Sequence, residues 1–144
     1  MDYRKWIDLF GRKNDDPQVK EQLKRAGVIK RVVMPRDEIY LTVDADGMTL
    51  QFEDVELFKD VPGGAGTCVL TSVTMHVKRE PWPAPYDISK DATRPSLRKK
   101  FGTPVEQEEA WDQWRMSDNL LLRARYKIGG DALMKVTLSM EEPK

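Results

Sequence analysis

Residues 38–53 read EIYLTVDADGMTLQFE, and their apolar side chains fall on every second position. Ile39, Leu41 and Val43 alternate with Glu38, Tyr40 and Thr42, the period of a strand with one buried face. Ala45-Asp46-Gly47 interrupts the alternation, and Met48, Leu50 and Phe52 then resume it. An Asp-Gly pair between two alternating runs signals a tight hairpin, because the turn demands positive φ. Antiparallel pairing is expected here, with Ile39, Leu41, Val43, Met48, Leu50 and Phe52 pointing inward.

On the N-terminal side the period is helical. Asp16 is placed to cap a helix, and Pro17 suits its first position, where a missing N–H costs nothing. Val19, Leu23 and Ala26 follow at helical spacing, and Gly27 supplies a left-handed stop, so a helix is expected near 17–26. Residues 4–10, RKWIDLF, form a short amphipathic stretch with Trp6, Leu9 and Phe10 on one side. VIKRVVM (28–34) returns to a period of two ahead of Pro35.

On the C-terminal side, VPGGAGT (61–67) is a flexible loop. TCVLTSVTMHV (67–77) is a long strand with Val69, Thr71, Val73, Met75 and Val77 on one face. Residues 80–87, EPWPAPYD, carry three prolines, which keep a segment stiff and out of a sheet interior. They read as a connector between an N-terminal half (1–79) and a C-terminal half (88–144) of one compact unit. In the second half Thr93 is placed to cap a helix over 94–101, with Leu97 and Phe101 one turn apart and Gly102 and Pro104 ending it. Three strands follow: EAWDQWRM, NLLLRARYK and ALMKVTLSM, the last two joined at Gly129-Gly130-Asp131. Helix then strands occurs twice, in the manner of a two-repeat chain. The expected class is α+β, with antiparallel sheet covered on one side by helices.

Composition narrows the function. The chain has 144 residues, 24 Lys+Arg against 24 Asp+Glu, 40% hydrophobic and 33% charged residues. That balance is globular rather than disordered. A mean hydropathy of -0.61, with no long apolar run, excludes a helical membrane span. Zero net charge disfavours a general nucleic-acid binder, which must neutralise phosphates. The start, MDYRKWIDLFGRKNDD, lacks an apolar signal core and a lipid-accepting Cys. With one cysteine in the chain, this favours the cytoplasm.

The inventory of chemistry is thin. Cys68 and His76 are the sole thiol and imidazole, which removes Cys- or His-based metal sites. Eight positions apart on one strand, they are separated by roughly 26 Å, too far for a nucleophile–base pair. Cys68 reads as half-buried, and His76 as a residue of the polar face. GGAG (63–66) lacks the Gly-Lys-Ser/Thr ending of a phosphate loop. Asp44, Asp46 and Gly47 faintly resemble a calcium loop, but Val55 stands where its bidentate Glu belongs. No cofactor, metal or catalytic set is expected.

Charge placement is more informative. Residues 37–60 hold Asp37, Glu38, Asp44, Asp46, Glu53, Asp54, Glu56 and Asp60 against Lys59 alone. A smaller acidic run, Glu106, Glu108, Glu109 and Asp112, reads as a solvated edge. Tyr40 falls on the polar face of its strand. Trp111 and Trp114 fall on opposite faces of theirs, so one stands outside the core. Exposed aromatics are frequent anchors of protein interfaces, and complementary charge raises association rate and specificity. Glu38, Tyr40, Asp44, Asp46, Glu53 and Asp54 are therefore the first candidate binding residues, with a second set around Trp114, Arg123 and Arg125.

Two sets of motifs carry a resemblance. ISKDATRPSLRKKFGTP, WDQW, LLLRARY and ALMKVTLSM resemble the module of the beta-lactamase inhibitor protein and the small outer-membrane assembly lipoproteins. Leu97, Phe101, Gly102 and Pro104 carry that match. LFGRKNDDPQVKEQLKRAG resembles the opening of a family of bacterial immunity proteins encoded beside polymorphic toxins, through Leu9, Gly11, Asp16, Pro17, Val19, Leu23 and Gly27. The chain departs from that family at PWPAPYDIS and at Thr93-Arg94-Pro95-Ser96, where Leu-Pro-x-Gly-Leu and acidic residues are common. The resemblance implies a non-enzymatic cytoplasmic protein that binds a cognate toxin, with neither nucleic acid nor membrane as partner. Two other classes remain. One is an envelope-assembly module of the lipoprotein type, disfavoured by the absent signal and lipid-accepting Cys. The other is an enzyme using acid/base carboxylates, which requires a carboxyl of strongly raised pKa in a pocket.

Overall fold

Two short helices open the first unit. In the computed structural model, which describes residues 3–117 and 119–141, Arg4–Ile7 form helix α1 and Pro17–Arg25 form helix α2. Asp16 Oδ1 accepts the Gln18 N–H at 2.8 Å, so the N-cap expected from sequence is in place. Gly27 follows with φ 82, the left-handed stop. Val19 and Leu23 are buried, as are Trp6 and Leu9. The Trp6 indole N–H has no hydrogen-bond partner among the described residues.

The strands are β1 (Tyr40–Ala45), β2 (Met48–Asp54), β3 (Cys68–His76), β4 (Glu106–Gln107), β5 (Trp111–Ser117), β6 (Leu120–Tyr126) and β7 (Leu133–Met140). With helix α3 (Arg94–Phe101) they give an α+β fold whose seven strands form an antiparallel sheet in the order β1-β2-β3-β7-β6-β5-β4. The chain divides into two compact units at Val73/Thr74, inside β3.

In the first unit, Ala45 pairs with Met48 and Tyr40 with Glu53 across a two-residue turn. Asp46 (φ 55) and Gly47 (φ 77) supply the positive φ values that this turn requires. Met48, Leu50 and Phe52 are buried, as their alternation predicts. Ile39 differs: it lies just before β1 and is 48% exposed. Residues 28–34 also differ, because they form no strand. Asn14 Nδ2 donates to the Val32 carbonyl at 2.7 Å and the Met34 N–H to the Gly66 carbonyl at 3.0 Å. These bonds take the place of a ladder, and Val32 and Met34 are buried. Residues 11–14 run antiparallel to the start of β3, through Gly11 N–H to Leu70 O (2.9 Å) and Asn14 N–H to Cys68 O (2.8 Å). Residues 68–73 are all buried, so Cys68 is core rather than half-buried.

In the second unit, the Trp82 indole N–H donates to the Ile88 carbonyl at 2.8 Å and pins the proline-rich segment to itself. That segment includes a 3₁₀ turn at Pro85–Asp87. Thr93 and Ser96 form a reciprocal capping box at the start of α3, Leu97 is buried, and Gly102 ends the helix. Strands β5, β6 and β7 pair in sequence order, Asp112 with Ala124 and Ala124 with Val136.

Candidate functional site

The β1–β2 hairpin carries the first set of candidate residues, all within the first unit. On β1 the side chains of Tyr40, Thr42 and Asp44 are exposed, while Leu41 and Val43 are half-buried. Tyr40 is 52% exposed. Paired residues of an antiparallel ladder share a face. Tyr40 therefore stands beside Glu53, and Asp44 beside Thr49, whose hydroxyl donates to Asp44 Oδ1 at 2.9 Å. Glu38 is exposed and precedes the strand. Asp46 is half-buried in the turn. Asp54 closes the far end, its Oδ1 accepting the Glu56 N–H at 2.9 Å at the head of a 3₁₀ turn over Val55–Leu57. The hairpin thus brings Tyr40, Asp44 and Glu53 onto one face and puts Asp46 and Asp54 at opposite ends.

The second set is split by burial. Trp114 is 3% exposed, its indole N–H donates to the Gly102 carbonyl at 2.9 Å, and its ring lies 5.4 Å from that of Phe101. It is a core residue and no surface anchor. The half-exposed tryptophan of this strand is Trp111, with the Arg123 guanidinium 3.7 Å from its ring centroid. Arg123 also donates to Gln113 Oε1 at 3.1 Å, and burial lowers its pKa from the ordinary arginine value. Arg125, half-buried, sits opposite Trp111 in the ladder.

A third constellation went unread in the sequence. Asp112, expected on a solvated acidic edge, is fully buried. Asp112 shares a face of β5 with the buried Trp114. Arg94 and Arg98, one turn apart on α3, both close on its carboxylate, Arg94 Nη2 and Arg98 Nη2 each at 2.8 Å from Oδ1. The Tyr126 hydroxyl donates to Oδ2 at 3.0 Å. Arg94 further donates to the Glu109 carbonyl at 2.7 Å and to the Glu108 carbonyl, and Arg98 to Gln107 Oε1 at 2.8 Å. Burial disfavours the Asp112 anion, but the hydrogen bonds from Arg98, Arg94 and Tyr126 outweigh it and hold the carboxyl below the usual range. The same bonds raise Arg98, while burial, followed by the bond to Asp112, pushes the Tyr126 phenol well above its ordinary value. A paired arginine at i and i+4 facing an inward strand Asp was the available signal.

A cleft of about 430 Å³ opens beside this cluster, between Arg94, Glu109 and the Lys127–Asp131 turn. Arg94 offers it little, since Nε, Nη1 and Nη2 are all engaged with protein oxygens. Cys68 and His76 are the first and last residues of β3. Burial, with the charge of Asp54, pushes the Cys68 thiol up to about 11, so it is protonated at neutral pH. Among the described residues no three His, Cys, Asp or Glu side chains are grouped to hold a metal ion, and no helix is long and apolar enough to cross a membrane. No protein-family model matches the chain, and neither the curated proteins nor the solved structures contain a match.

Proposed function

We propose that the chain is a cytoplasmic immunity protein that binds and neutralises a cognate bacterial toxin encoded beside it. The observation that carries this reading is Tyr40, a large aromatic 52% exposed on a hairpin face shared with Asp44 and Glu53. An aromatic held on a paired strand costs little ordering when a partner covers it. Residues 37–60 hold eight acidic residues against Lys59 alone, an excess of negative charge that suits a basic partner. The motif at 9–27 supplies the link to toxin immunity.

The carboxylate-enzyme alternative is less well supported at Asp112. A general acid needs a raised pKa, and Asp112 is held down and committed to two arginines and a tyrosine. Co-expression with the products of the adjacent reading frames tests the proposal. One product is expected to arrest growth alone, to be tolerated with this chain, and to co-purify with it. Growth arrest unrelieved by the chain, or relief without a complex, would contradict binding-based immunity.

A further inference from the structure

The β1–β2 register determines which backbone groups of β1 face outward. The Asp54 N–H donates to the Ile39 carbonyl at 2.9 Å, and Ala45 and Met48 flank the two-residue turn. Antiparallel pairs alternate between hydrogen-bonded and non-bonded. Ile39, Leu41, Val43 and Ala45 therefore direct their N–H and C=O groups to β2, and Tyr40 and Thr42 direct theirs away from it. β1 is the terminal strand of the sheet, and among the described residues no strand lies beyond it. The other terminal strand, β4, is only two residues long, whereas β1 has six. Long open edges are templates for strand addition, and proteins usually blunt them.

We infer that β1 is a strand-docking edge, and that its occupant is an extended segment of a partner protein alternating basic and aliphatic residues. This deepens the toxin-binding reading and rests on it for the partner's biological identity. The two faces of the edge select the occupant. Leu41 and Val43 are only half-buried on the inner face of this terminal strand. A docked strand would continue that face with aliphatic side chains. The outer face carries Tyr40 and Asp44 on β1 and Glu53 on β2, with Glu38 just ahead of the strand, and favours Lys or Arg beside them. The same charges oppose pairing of β1 with a second copy of itself, since acid would then meet acid. Main-chain bonds supply affinity in such additions, and alternate side chains supply specificity.

The test needs no toxin, so its failure is separable from failure of the immunity reading. The probe is a short capped peptide of alternating Lys and Val, with an alternating Glu–Val peptide as control, followed by amide hydrogen exchange in the full chain. In the free chain, Tyr40 and Thr42 amides are expected to exchange rapidly, and Leu41 and Val43 slowly. With the Lys–Val peptide at ten times its Kd, Tyr40 and Thr42 should slow about tenfold, as free sites become scarce. With antiparallel docking, the geometry of β1 with β2, residues paired with Thr42 lie on the outer face, so the Lys amides of the peptide are the ones that point at β1. N-methylation of its Lys residues should abolish binding, and N-methylation of its Val residues should not. Thr42→Pro, which removes an outward N–H and spares the bonds to β2, should also abolish it. Slow exchange at Tyr40 and Thr42 in the free chain would overturn the inference. So would absence of Lys–Val binding at millimolar peptide, equal binding of the Glu–Val peptide, or indifference to the site of N-methylation.

Discussion

The Tyr126 hydroxyl donates to Asp112 Oδ2 at 3.0 Å, joining strands β6 and β5 through a carboxylate with no solvent exposure. Arg94 and Arg98 bring α3 onto the same carboxylate, so helix and sheet of the second unit share one buried charge. Removing one partner of a buried ion pair strands the other charges, which typically costs about 3–5 kcal/mol. Asp112→Ala is expected to lose that much in urea denaturation. Tyr126→Phe should lose about 1.5–3 kcal/mol, the range for a hydrogen bond to a charged group. A loss below about 1 kcal/mol for Asp112→Ala would mean that the cluster is not structural.

The same carboxylate sets an acid limit. Its folded pKa lies below its ordinary value, so its stabilising contribution is complete above that value and is lost as pH falls through the folded pKa. Wild-type stability should therefore decline below about pH 4, the region of an unperturbed Asp. Asp112→Asn should be less stable at pH 7, and the gap to wild type should narrow as pH falls below 4. A gap that stays constant from pH 7 to pH 2 would show that Asp112 contributes no linkage.

Burial separates large apolar residues that look alike in the sequence. Leu97 and Trp114 are 2% and 3% exposed, whereas Ile128 is 98% exposed at the β6–β7 turn. Leu97→Ala is expected to cost about 2–5 kcal/mol and Trp114→Ala about 3–5 kcal/mol. Ile128→Ser should change stability by about 0.5 kcal/mol or less. Equal effects at Leu97 and Ile128 would contradict the packing of α3.

Cys68 provides a probe of opening. It is fully buried, and burial raises its thiol pKa to about 11. A thiol reagent at pH 8 should label it only as fast as the chain unfolds, and urea should accelerate labelling in step with the unfolding transition. Prompt stoichiometric labelling of the native chain would place Cys68 at the surface.

Local patterns in the sequence reach a long way into the fold. Asp16-Pro17, Thr93 and Asp46-Gly47 act through neighbours in the chain, so both helix starts and the hairpin turn were legible. Where partners are distant, the pattern says less. Residues 28–34 alternate like a strand, yet their bonds go to Asn14 and Gly66. Asp112 looked like one more surface acid, because a charged residue gives no local sign of being buried. Its counterions lie 14 and 18 positions away. The opposite faces of Trp111 and Trp114 followed from parity, but the choice between them depended on Phe101 and Gly102, which only the folded unit brings against Trp114. On the hairpin, the exposure of Tyr40 was legible, and the outward direction of its backbone required the register.

The most direct test of the proposed hairpin-mediated neutralisation is the association rate between this chain and the adjacent-frame product that arrests growth on its own in the co-expression test. It should be measured by stopped flow across a salt series for wild type and for the Glu38→Lys/Asp44→Lys variant. Both side chains are exposed, so the variant should fold: Glu38→Lys should change stability by about 0.5 kcal/mol or less, and Asp44→Lys should cost about 0.5–1.5 kcal/mol through loss of the Thr49 hydrogen bond. Wild-type association should slow as salt screens charges over about 10 Å at 0.1 M. The variant should associate more slowly at low salt, converge on wild type at high salt, and dissociate at nearly the wild-type rate. Identical association rates for the two proteins at low salt, with full protection of toxin-expressing cells by the variant, would contradict the hairpin as the toxin-binding surface.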